Sequence, residues 1–435
     1  MDETPLHGLL DGALAGEPPI GPIAQNSLRA GIRLRRRRRA LGATGGAAVV
    51  AVAAVIPAVT GLGGGTSAAP SAHGQAFAYV LASHCPGSVH TCKPAAFLGA
   101  LTPISSATNR PGEPIDLGAA SNGPNMVITP DGKTVYVEND VSNTVTPINT
   151  VTKKPGKPIK VGAFPDGMAI TPNGKTLYIC NIGPSIPAPG QAAPTGSVTP
   201  ISTVTNTAGN PIKVGIRPRA IAMMPDGKTA YVINQGSGTV TPINTATNKA
   251  GKPIKAGGSG FVIGITPDGN TVFTLNDNDT VTPISTATNT AGKQIKVGQF
   301  PYAFAATPDG KTAYVVNLRS GTVTPISTAT GTAGKPISVG PDPQAIVVTP
   351  NGKTAYAISY DAGTVTPIST ATNTAGKPIV VGKGGYAIAV TPDGTTVYAV
   401  SRTSGTVTPI STATNAAGKP IKVGKDPYAI AIGSR

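Results

Sequence analysis

The stretch "PYAFAATPDGKTAYVVNLRSGTVTPISTATGTAGKPISVG" occupies residues 301–340, and close copies of it recur along most of the chain. It contains four apolar or β-branched segments separated by Gly, Pro, Asn and Asp, which predicts four strands joined by turns. The word T-P-D/N-G marks the copies, and successive starts lie 42, 53, 42, 41, 42 and 42 residues apart. These starts are Thr129, Thr171, Met224 (a variant), Thr266, Thr307, Thr349 and Thr391.

The repeat period predicts the architecture of the whole array. One sheet of about 40 residues cannot bury both of its faces alone, so we expect an all-β fold, a β-propeller of four-stranded blades. The second strand and the word "TPI" each occur eight times, whereas the first strand is short by one copy. The segment "DPYAIAIGSR" (426–435) supplies that copy, and it is expected to complete the blade that residues 75–118 begin. Eight blades are predicted, with seven as the alternative if the N-terminal segment packs differently.

The ends of the second strands carry a resemblance. The words "YVVN" (314–317), "YVIN" (231–234) and "YVEN" (136–139) resemble those of the YVTN-repeat β-propellers of bacterial and archaeal surface proteins. The resemblance covers essentially all of residues 75–435, and it implies a fold more than an activity. The chain departs from that family in its third strand, "TVTPI", where Pro325 and its counterparts have no N–H to donate to a ladder. A short outermost strand is therefore expected in each blade.

The region before the array predicts membrane attachment. Residues 40–62 run without a charge, which is enough for one helix across a hydrocarbon core of about 30 Å. The arginine cluster "RLRRRRR" (33–39) just before them favours a cytoplasmic N-terminus and an exported propeller. We therefore predict a cytoplasmic tail (1–39), a transmembrane signal-anchor helix (40–62), a flexible linker (63–74) and an extracellular propeller (75–435). Secretion is the alternative if the N-terminal segment is cleaved.

Net charge limits the partners. The formal net charge is +16, of which the seven Arg and four acidic residues of positions 1–39 contribute only +3. The remaining +13 is spread along the repeats, where lysine recurs in "DGK" and "GKPIK". These lysines either protect the sheet edges from pairing with another chain or form a basic rim that binds anionic polymers or lipid headgroups. No nucleic-acid partner is predicted, because aromatic residues make up 4% of the chain and form no stacking platform among the basic residues.

The repeated polar residues have structural explanations. Asn173 and Asn351 replace the aspartate of the turn word, and asparagine serves a turn but cannot act as a carboxylate acid or base. Tyr314 and its equivalents are expected to pack between blades, and Asn317 and its equivalents to cap a turn. No catalytic residue, metal site or cofactor is predicted from these positions.

One cluster has the composition of a cross-link or a metal site. The segment "HCPGSVHTC" (84–92) contains His84, Cys85, His90 and Cys92. In an oxidising exterior a Cys85–Cys92 disulfide is the simpler interpretation, with zinc as the alternative. Cys180 lies inside a strand and is expected to be a buried thiol.

Propeller topology separates monotonous turns from variable loops. Turns between strands one and two and between three and four share one face, while the more variable second-to-third and fourth-to-first connections share the other. Variation on one side of a repeated scaffold is typical of a binding surface. The predicted ligand-binding residues there are Arg217, Arg219, Phe300, Tyr302, Arg319, Tyr360 and Asp361. We expect a non-catalytic binding or scaffolding module for a cell-surface protein or an anionic wall polymer or glycan; a lactonase-like or lyase-like hydrolase is the alternative.

Overall fold

The protein forms a closed ring of eight antiparallel sheets. The structure, a computed structural model, describes residues 76–84, 98–119, 125–183 and 195–434. Each sheet is one blade, and adjacent blades pack in order around the ring. We number as blade 1 the sheet that contains the first and last described strands; blades 2 to 8 follow in chain order. Eight blades, rather than seven, are confirmed.

Strand bounds follow for blades 1 to 8 in turn. The innermost, first strands are Pro427–Ser434, Met126–Ile128, Pro165–Ile170, Pro218–Met223, Gly260–Ile265, Pro301–Ala306, Pro343–Val348 and Gly385–Val390. The second strands are Ala76–His84, Thr134–Asn139, Thr176–Asn181, Thr229–Asn234, Thr271–Asn276, Thr312–Asn317, Thr354–Ser359 and Thr396–Ser401. The third strands are Leu98–Ser105, Thr144–Asn149, Ser197–Ser202, Thr239–Asn244, Thr280–Ser285, Thr322–Ser327, Thr364–Ser369 and Thr406–Ser411.

The prediction of four strands per blade is corrected by the structure, in which two short strands lie at the outer edge where one was predicted. These pairs are Arg110–Pro111 and Ile115–Ala119, Lys154–Pro155 and Ile159–Lys160, Thr207–Ala208 and Ile212–Lys213, Lys249–Ala250 and Ile254–Lys255, Thr290–Ala291 and Ile295–Lys296, Thr332–Ala333 and Ile337–Ser338, Thr374–Ala375 and Ile379–Val380, and Ala416–Ala417 and Ile421–Lys422. Both members of a pair bond to the third strand. The break faces Pro325 in blade 6, whose carbonyl accepts the Gly334 N–H at 2.7 Å but which donates nothing in return.

The last strand closes the ring. Strand Pro427–Ser434 pairs with Ala76–His84, with Tyr79 opposite Ala431 and Val80 opposite Ile430. Ala429 is 0% exposed and Ile430 is 4% exposed, so this strand supplies the inner layer of blade 1. The predicted closure is confirmed.

The core lies between neighbouring blades, where second-strand tyrosines are buried as predicted. Tyr314 and Val316 of blade 6 pack on Ile346 and Ala357 of blade 7. Six of these tyrosines also donate their hydroxyl to an asparagine in the third-to-fourth turn of the next blade, a contact that we call the Tyr–Asn latch. The pairs are Tyr136–Asn206, Tyr178–Asn248, Tyr231–Asn289, Tyr314–Asn373, Tyr356–Asn415 and Tyr398–Asn109.

The Tyr–Asn latch is missing between blades 5 and 6, because neither the tyrosine nor the asparagine is present there. Phe273 has no hydroxyl, and the matching turn residue in blade 6 is Gly331 instead of asparagine. Gly331 has φ 63°, the left-handed conformation that the latch asparagines also adopt. A Cβ at this glycine would meet nothing closer than Ile295 Cδ1 at 4.0 Å. The site can therefore accept the missing asparagine.

We predict that Phe273→Tyr with Gly331→Asn installs a seventh latch and raises the free energy of unfolding by about 1 kcal/mol, the net value of one hydrogen bond. Tyr314→Phe, the matched control, removes the bond to Asn373 and is expected to lower it by a similar amount. Denaturant unfolding of the variants tests both. A double variant no more stable than Phe273→Tyr alone would contradict the latch.

Aspartate and asparagine are equivalent in the first-to-second turn. Asp309 Oδ1 accepts the Thr307 hydroxyl at 2.6 Å and the Lys311 N–H at 3.1 Å. Asn173 makes the same two bonds, at 2.7 and 3.0 Å. The structural role predicted for the turn word is confirmed.

The second-strand asparagines differ from the prediction of a turn cap. Asn317 donates from Nδ2 to Thr322 Oγ1 at 3.1 Å and to Thr324 Oγ1 at 2.8 Å, both on the third strand. These asparagines therefore fasten the end of the second strand to its neighbour, because their amides lie over the adjacent ladder.

The two ends of the ring differ in their connections. The turn face carries the first-to-second and third-to-fourth turns; the loop face carries the second-to-third loops and fourth-to-first connections.

No helix in the described part of the chain is long and apolar enough to cross a membrane. The predicted helix (40–62) and the predicted Cys85–Cys92 disulfide lie outside the described residues. So does most of the long second-to-third loop of blade 3, "IGPSIPAPGQAAPTG" (182–196).

Candidate ligand site at the mouth of the channel

A β-bulge at the start of the innermost strand defines the candidate site. In blade 6 the pairing skips from Pro301 to Ala303, so Tyr302 is the extra residue of the bulge. Bulges redirect a side chain and are common beside active sites. The same shift leaves one equivalent residue in each of seven blades, at the loop-face end of the channel. This set, which we call the mouth ring, comprises Asp166, Arg219, Phe261, Tyr302, Gln344, Tyr386 and Tyr428.

The connections just before the bulges hold bulky residues in an uncommon conformation. Phe164, Arg217 and Phe300 have φ of 52°, 55° and 57°, in the left-handed region that residues other than glycine seldom adopt. Neighbouring loops hold this backbone, since the Phe300 N–H donates to Asp279 Oδ1 at 2.8 Å. Side chains kept in such strained conformations cluster at functional sites.

Aromatic rings from blades 5, 6 and 8 form the part of the mouth that we call the aromatic arc: Phe261, Phe300, Tyr302 and Tyr386. The Phe261 ring lies 5.4 Å from that of Phe300 and 6.1 Å from that of Tyr302. Arg319, on a second-to-third loop, places its guanidinium 5.0 Å from the Phe300 ring centre. Cation–π contact of this kind orients an arginine while leaving its N–H groups for a ligand.

A tyrosine pair links blades 6 and 8 past blade 7. The Tyr302 hydroxyl is hydrogen-bonded to that of Tyr386, and burial raises the pKa of Tyr302 well above its usual value. Arg402 lies 5.2 Å from the Tyr386 ring centre and is paired with Asp426, with Nη2 to Oδ2 at 2.9 Å. The arc is therefore held by bonds between blades rather than by local turns.

The opposite part of the mouth carries buried acids, in what we call the acid pocket: Asn125, Glu138, Asp166 and Arg219. Glu138 is 0% exposed, and its Oε1 has no hydrogen-bond partner among the described residues. Its Oε2 accepts the Asn125 amide at 3.2 Å. Burial raises the pKa of Glu138 well above its usual value, and the charge of Asp166 adds to this.

Asp166 and Arg219 form an ion pair between blades 3 and 4. Burial raises the pKa of Asp166 to about 6, although the arginine charge and its hydrogen bond oppose the shift. Gly167 permits the close approach of the two blades, because a Cβ there would lie 2.5 Å from the Arg219 carbonyl oxygen. The glycine and the ion pair therefore belong to one arrangement.

Two residues of the acid pocket differ in type from the residues at the equivalent positions of blade 6. Glu138 stands where blade 6 has Val316, and Asn125 stands where it has Ala303. A buried polar atom without a partner costs free energy, so the unpaired Glu138 Oε1 close to the buried Asp166–Arg219 ion pair favours a functional role.

The structure brings only some predicted site residues together. Phe300 lies beside both Tyr302 and Arg319, with its ring centre 6.2 Å from that of Tyr302 and 5.0 Å from the Arg319 guanidinium. Tyr360 lies near Arg402, with its hydroxyl 3.5 Å from that of Thr403. Arg217 is exposed in blade 4, and Asp361 raises the pKa of its neighbour Asp342, although burial contributes more to that shift.

Arg219 is neutralised by Asp166 and is therefore not a free cation. Sequence reasoning missed Phe261, Tyr386, Arg402, Glu138 and Asp166. Phe261, Tyr386 and Asp166 occupy the same position in their repeats. An alignment of the repeats by position would have shown that this position varies.

The loop face is nearly balanced in charge. Its described acids are Glu138, Asp140, Asp166, Asp277, Asp279, Asp342, Asp361 and Asp426, and its described bases are Arg217, Arg219, Arg319, Lys383, Arg402 and Lys425. Eight acids against six bases contrast with the +13 of the chain beyond residue 39. In the described ranges no three His, Cys, Asp or Glu side chains are grouped to bind a metal ion, and Cys180 is a free buried thiol, as predicted.

Comparisons with known proteins support the propeller fold but identify no family. No family model matches the chain, and no curated protein matches it. It is similar to hydrazine synthase of Kuenenia stuttgartiensis, with 24% identity over 66% of this chain and 95% of that chain and a TM-score of 0.53. It is also similar to dihydro-heme d1 dehydrogenase NirN in complex with DHE, with 13% identity, 80% and 79% coverage and a TM-score of 0.64. A third similar structure is a functionally unknown protein from Desulfotomaculum acetoxidans DSM 771, with 18% identity, 82% and 99% coverage and a TM-score of 0.50. At these identities the similarity shows the propeller fold alone.

Proposed function

We propose that this chain is a non-catalytic binding module whose ligand binds at the mouth ring and the aromatic arc. One observation carries the proposal. Seven bulges of nearly the same geometry present Asp, Arg, Phe, Gln and three Tyr, whereas the turns and core residues around them are repeated almost unchanged. A scaffold gains nothing from this variety, but a binding surface requires it.

The chemistry of the arc favours a glycan with anionic groups. Aromatic faces supply contact area for sugar rings, and arginine can bond carboxylate or phosphate oxygens in bidentate fashion. Arg217 and Arg319 are exposed, and neither forms an ion pair with any residue that the structure describes. An acidic loop of a surface protein would present the same groups.

We also propose that the propeller is a YVTN-repeat protein held outside the cell by the segment 40–62. The supports are the words "YVVN" and "YVIN", the uncharged segment itself and the arginine cluster that precedes it. Flotation of the full chain with neutral vesicles, used in the experiment below, tests the anchor.

Binding of soluble anionic wall glycan is expected to weaken about 10-fold or more in Phe300→Ala/Arg319→Ala, because anchors of this kind contribute about 1–3 kcal/mol each. Binding by the wild type should also fall as salt rises, since exposed charges are screened beyond about 10 Å at 0.1 M. The measurement is a titration of full-length protein with the purified glycan. The control carries Lys→Ala at Lys252, Lys293 and Lys335 on the outer edge. Loss in that control alone would place binding on the lysines and contradict the mouth.

A further inference from the structure

Positive charge is concentrated on the turn face and the outer edge of the propeller. Apart from the six loop-face bases, the structure describes twenty basic residues, and all of them are exposed. They lie on the turn face and the outer edge, with only seven of the described acids. These two surfaces therefore carry a net charge of +13, whereas the described loop face carries a net charge of −2.

The acids on these two surfaces neutralise little of that charge. Asp131, Asp268, Asp309 and Asp393 are held in first-to-second turns by hydrogen bonds from their own turn residues. Lys133, Lys228 and Lys311 approach turn aspartates only to 3.9–4.0 Å, with both partners largely exposed, and such pairs are weak. The lysine side chains thus remain free to meet a negatively charged surface.

The chain enters the propeller on the turn face. Ala76 begins the second strand of blade 1, and its carbonyl accepts the Ser106 N–H at 3.0 Å. In blade 6 the equivalent bond runs from Thr328 N–H to the carbonyl of Lys311, a turn-face residue, also at 3.0 Å. In the sequence, residues 63–75 separate Ala76 from the segment 40–62, and their Gly/Ser/Ala-rich composition is that of a linker, for which a length of 13 residues corresponds to about 20 Å. The basic surface is therefore tethered close to any membrane that this segment enters.

We propose that the turn face and outer edge dock on anionic lipid headgroups, so that the mouth ring points away from the membrane. The proposal rests on the membrane anchor in the proposed function. Lysines near an anionic leaflet are attracted to it within about a Debye length, 10 Å at 0.1 M salt. A tether of about 20 Å lets these surfaces approach the leaflet to that distance, and the near-neutral loop face gains no comparable attraction.

The test uses the full chain reconstituted in vesicles of phosphatidylcholine, with or without phosphatidylglycerol. After flotation, an amine-acetylating reagent labels the lysines, and mass spectrometry compares Lys311 and Lys353 of the turn face with Lys383 and Lys425 of the loop face. We expect phosphatidylglycerol to lower labelling of the turn-face pair several-fold, to leave the loop-face pair unchanged, and to lose its effect in high salt. Equal labelling in both vesicles would overturn the docking.

Two further arms separate the explanations. Failure to float with phosphatidylcholine alone would reject the anchor, whereas flotation only with phosphatidylglycerol would reject the anchor and support docking. Soluble poly(glycerol phosphate) added to neutral vesicles offers the same phosphate chemistry without a lipid surface. Protection by this polymer but not by phosphatidylglycerol would overturn the lipid assignment. A variant with Lys→Gln at Lys133, Lys175, Lys228, Lys311 and Lys353 should lose salt-sensitive protection of Lys335, whereas Lys383→Gln/Lys425→Gln should keep it.

Discussion

Deletion of residues 426–435 is expected to abolish the cooperative unfolding transition of the propeller. Strand Pro427–Ser434 is the innermost strand of blade 1, and no other described segment can pair with the inner side of Ala76–His84. Its removal would expose both that ladder and the apolar surfaces that blades 8 and 2 bury against Ala429 and Ile430. The measurement is calorimetric or denaturant unfolding of the full-length and deleted chains.

A transplanted strand provides the matched control. Residues 426–434 placed directly before Ala76, joined by the turn "TPDGK", would follow the strand order that blades 2 to 8 already use. This variant is expected to recover a cooperative transition although its C-terminus is still missing. An unchanged transition in the simple deletion, or no recovery in the transplant, would contradict closure by this strand.

Replacing the acid pocket with the residue types of blade 6 is expected to stabilise the protein at neutral pH. Glu138→Val with Asn125→Ala copies Val316 and Ala303, which removes a carboxyl that is 0% exposed together with the amide that bonds it. Because one oxygen of this buried carboxyl has no hydrogen-bond partner among the described residues, its removal is expected to raise the free energy of unfolding by about 1–3 kcal/mol. A loss of stability would show that the pocket contributes to folding instead of being tolerated for a function.

The pH dependence gives a second readout for the same variant. The pKa values of Glu138 and Asp166 are both raised in the folded state, Asp166 to about 6, so the native protein holds protons that the unfolded chain releases. The stability linked to these groups is present in acid, below their unfolded pKa values near 4, and is lost as pH rises through the folded values. We expect a falling limb in the wild type that is reduced in Glu138→Val/Asn125→Ala.

Asp131→Asn is the control for that limb. The pKa of Asp131 is lowered by bonds from Thr129 and Lys133 that outweigh the opposing, largest single effect of burial, so its contribution has the opposite sign. This substitution uses a residue that two other turns already carry, and it should leave the falling limb unchanged. Identical pH profiles of the wild type and the pocket variant would contradict the assignment of the limb to the pocket.

The amino-acid sequence by itself determined the scaffold. The spacing of "TPDG" sets the repeat, since proline, aspartate or asparagine, and glycine specify one turn wherever they occur. The surplus first strand in residues 426–435 predicted both the ring closure and the number of blades. Pro325 and its counterparts predicted a short outermost strand, because a missing N–H is a local property, whereas the structure has two short strands there. Each of these features follows either from residues within one repeat or from a count of the repeats along the chain.

Only the tertiary structure decided the composition of the mouth. The word "YVEN" reads as one more repeat, but the folded ring shows Glu138 as a buried acid close to Asp166 and Arg219, which come from the next two blades. Likewise, Tyr302 meets Tyr386 across an intervening blade. A bulge shifts the register by one residue without any local sequence signal, and ring closure then brings equivalent positions of distant repeats to the same end of one channel. Contacts of this kind depend on the geometry of the closed ring, which no single repeat contains.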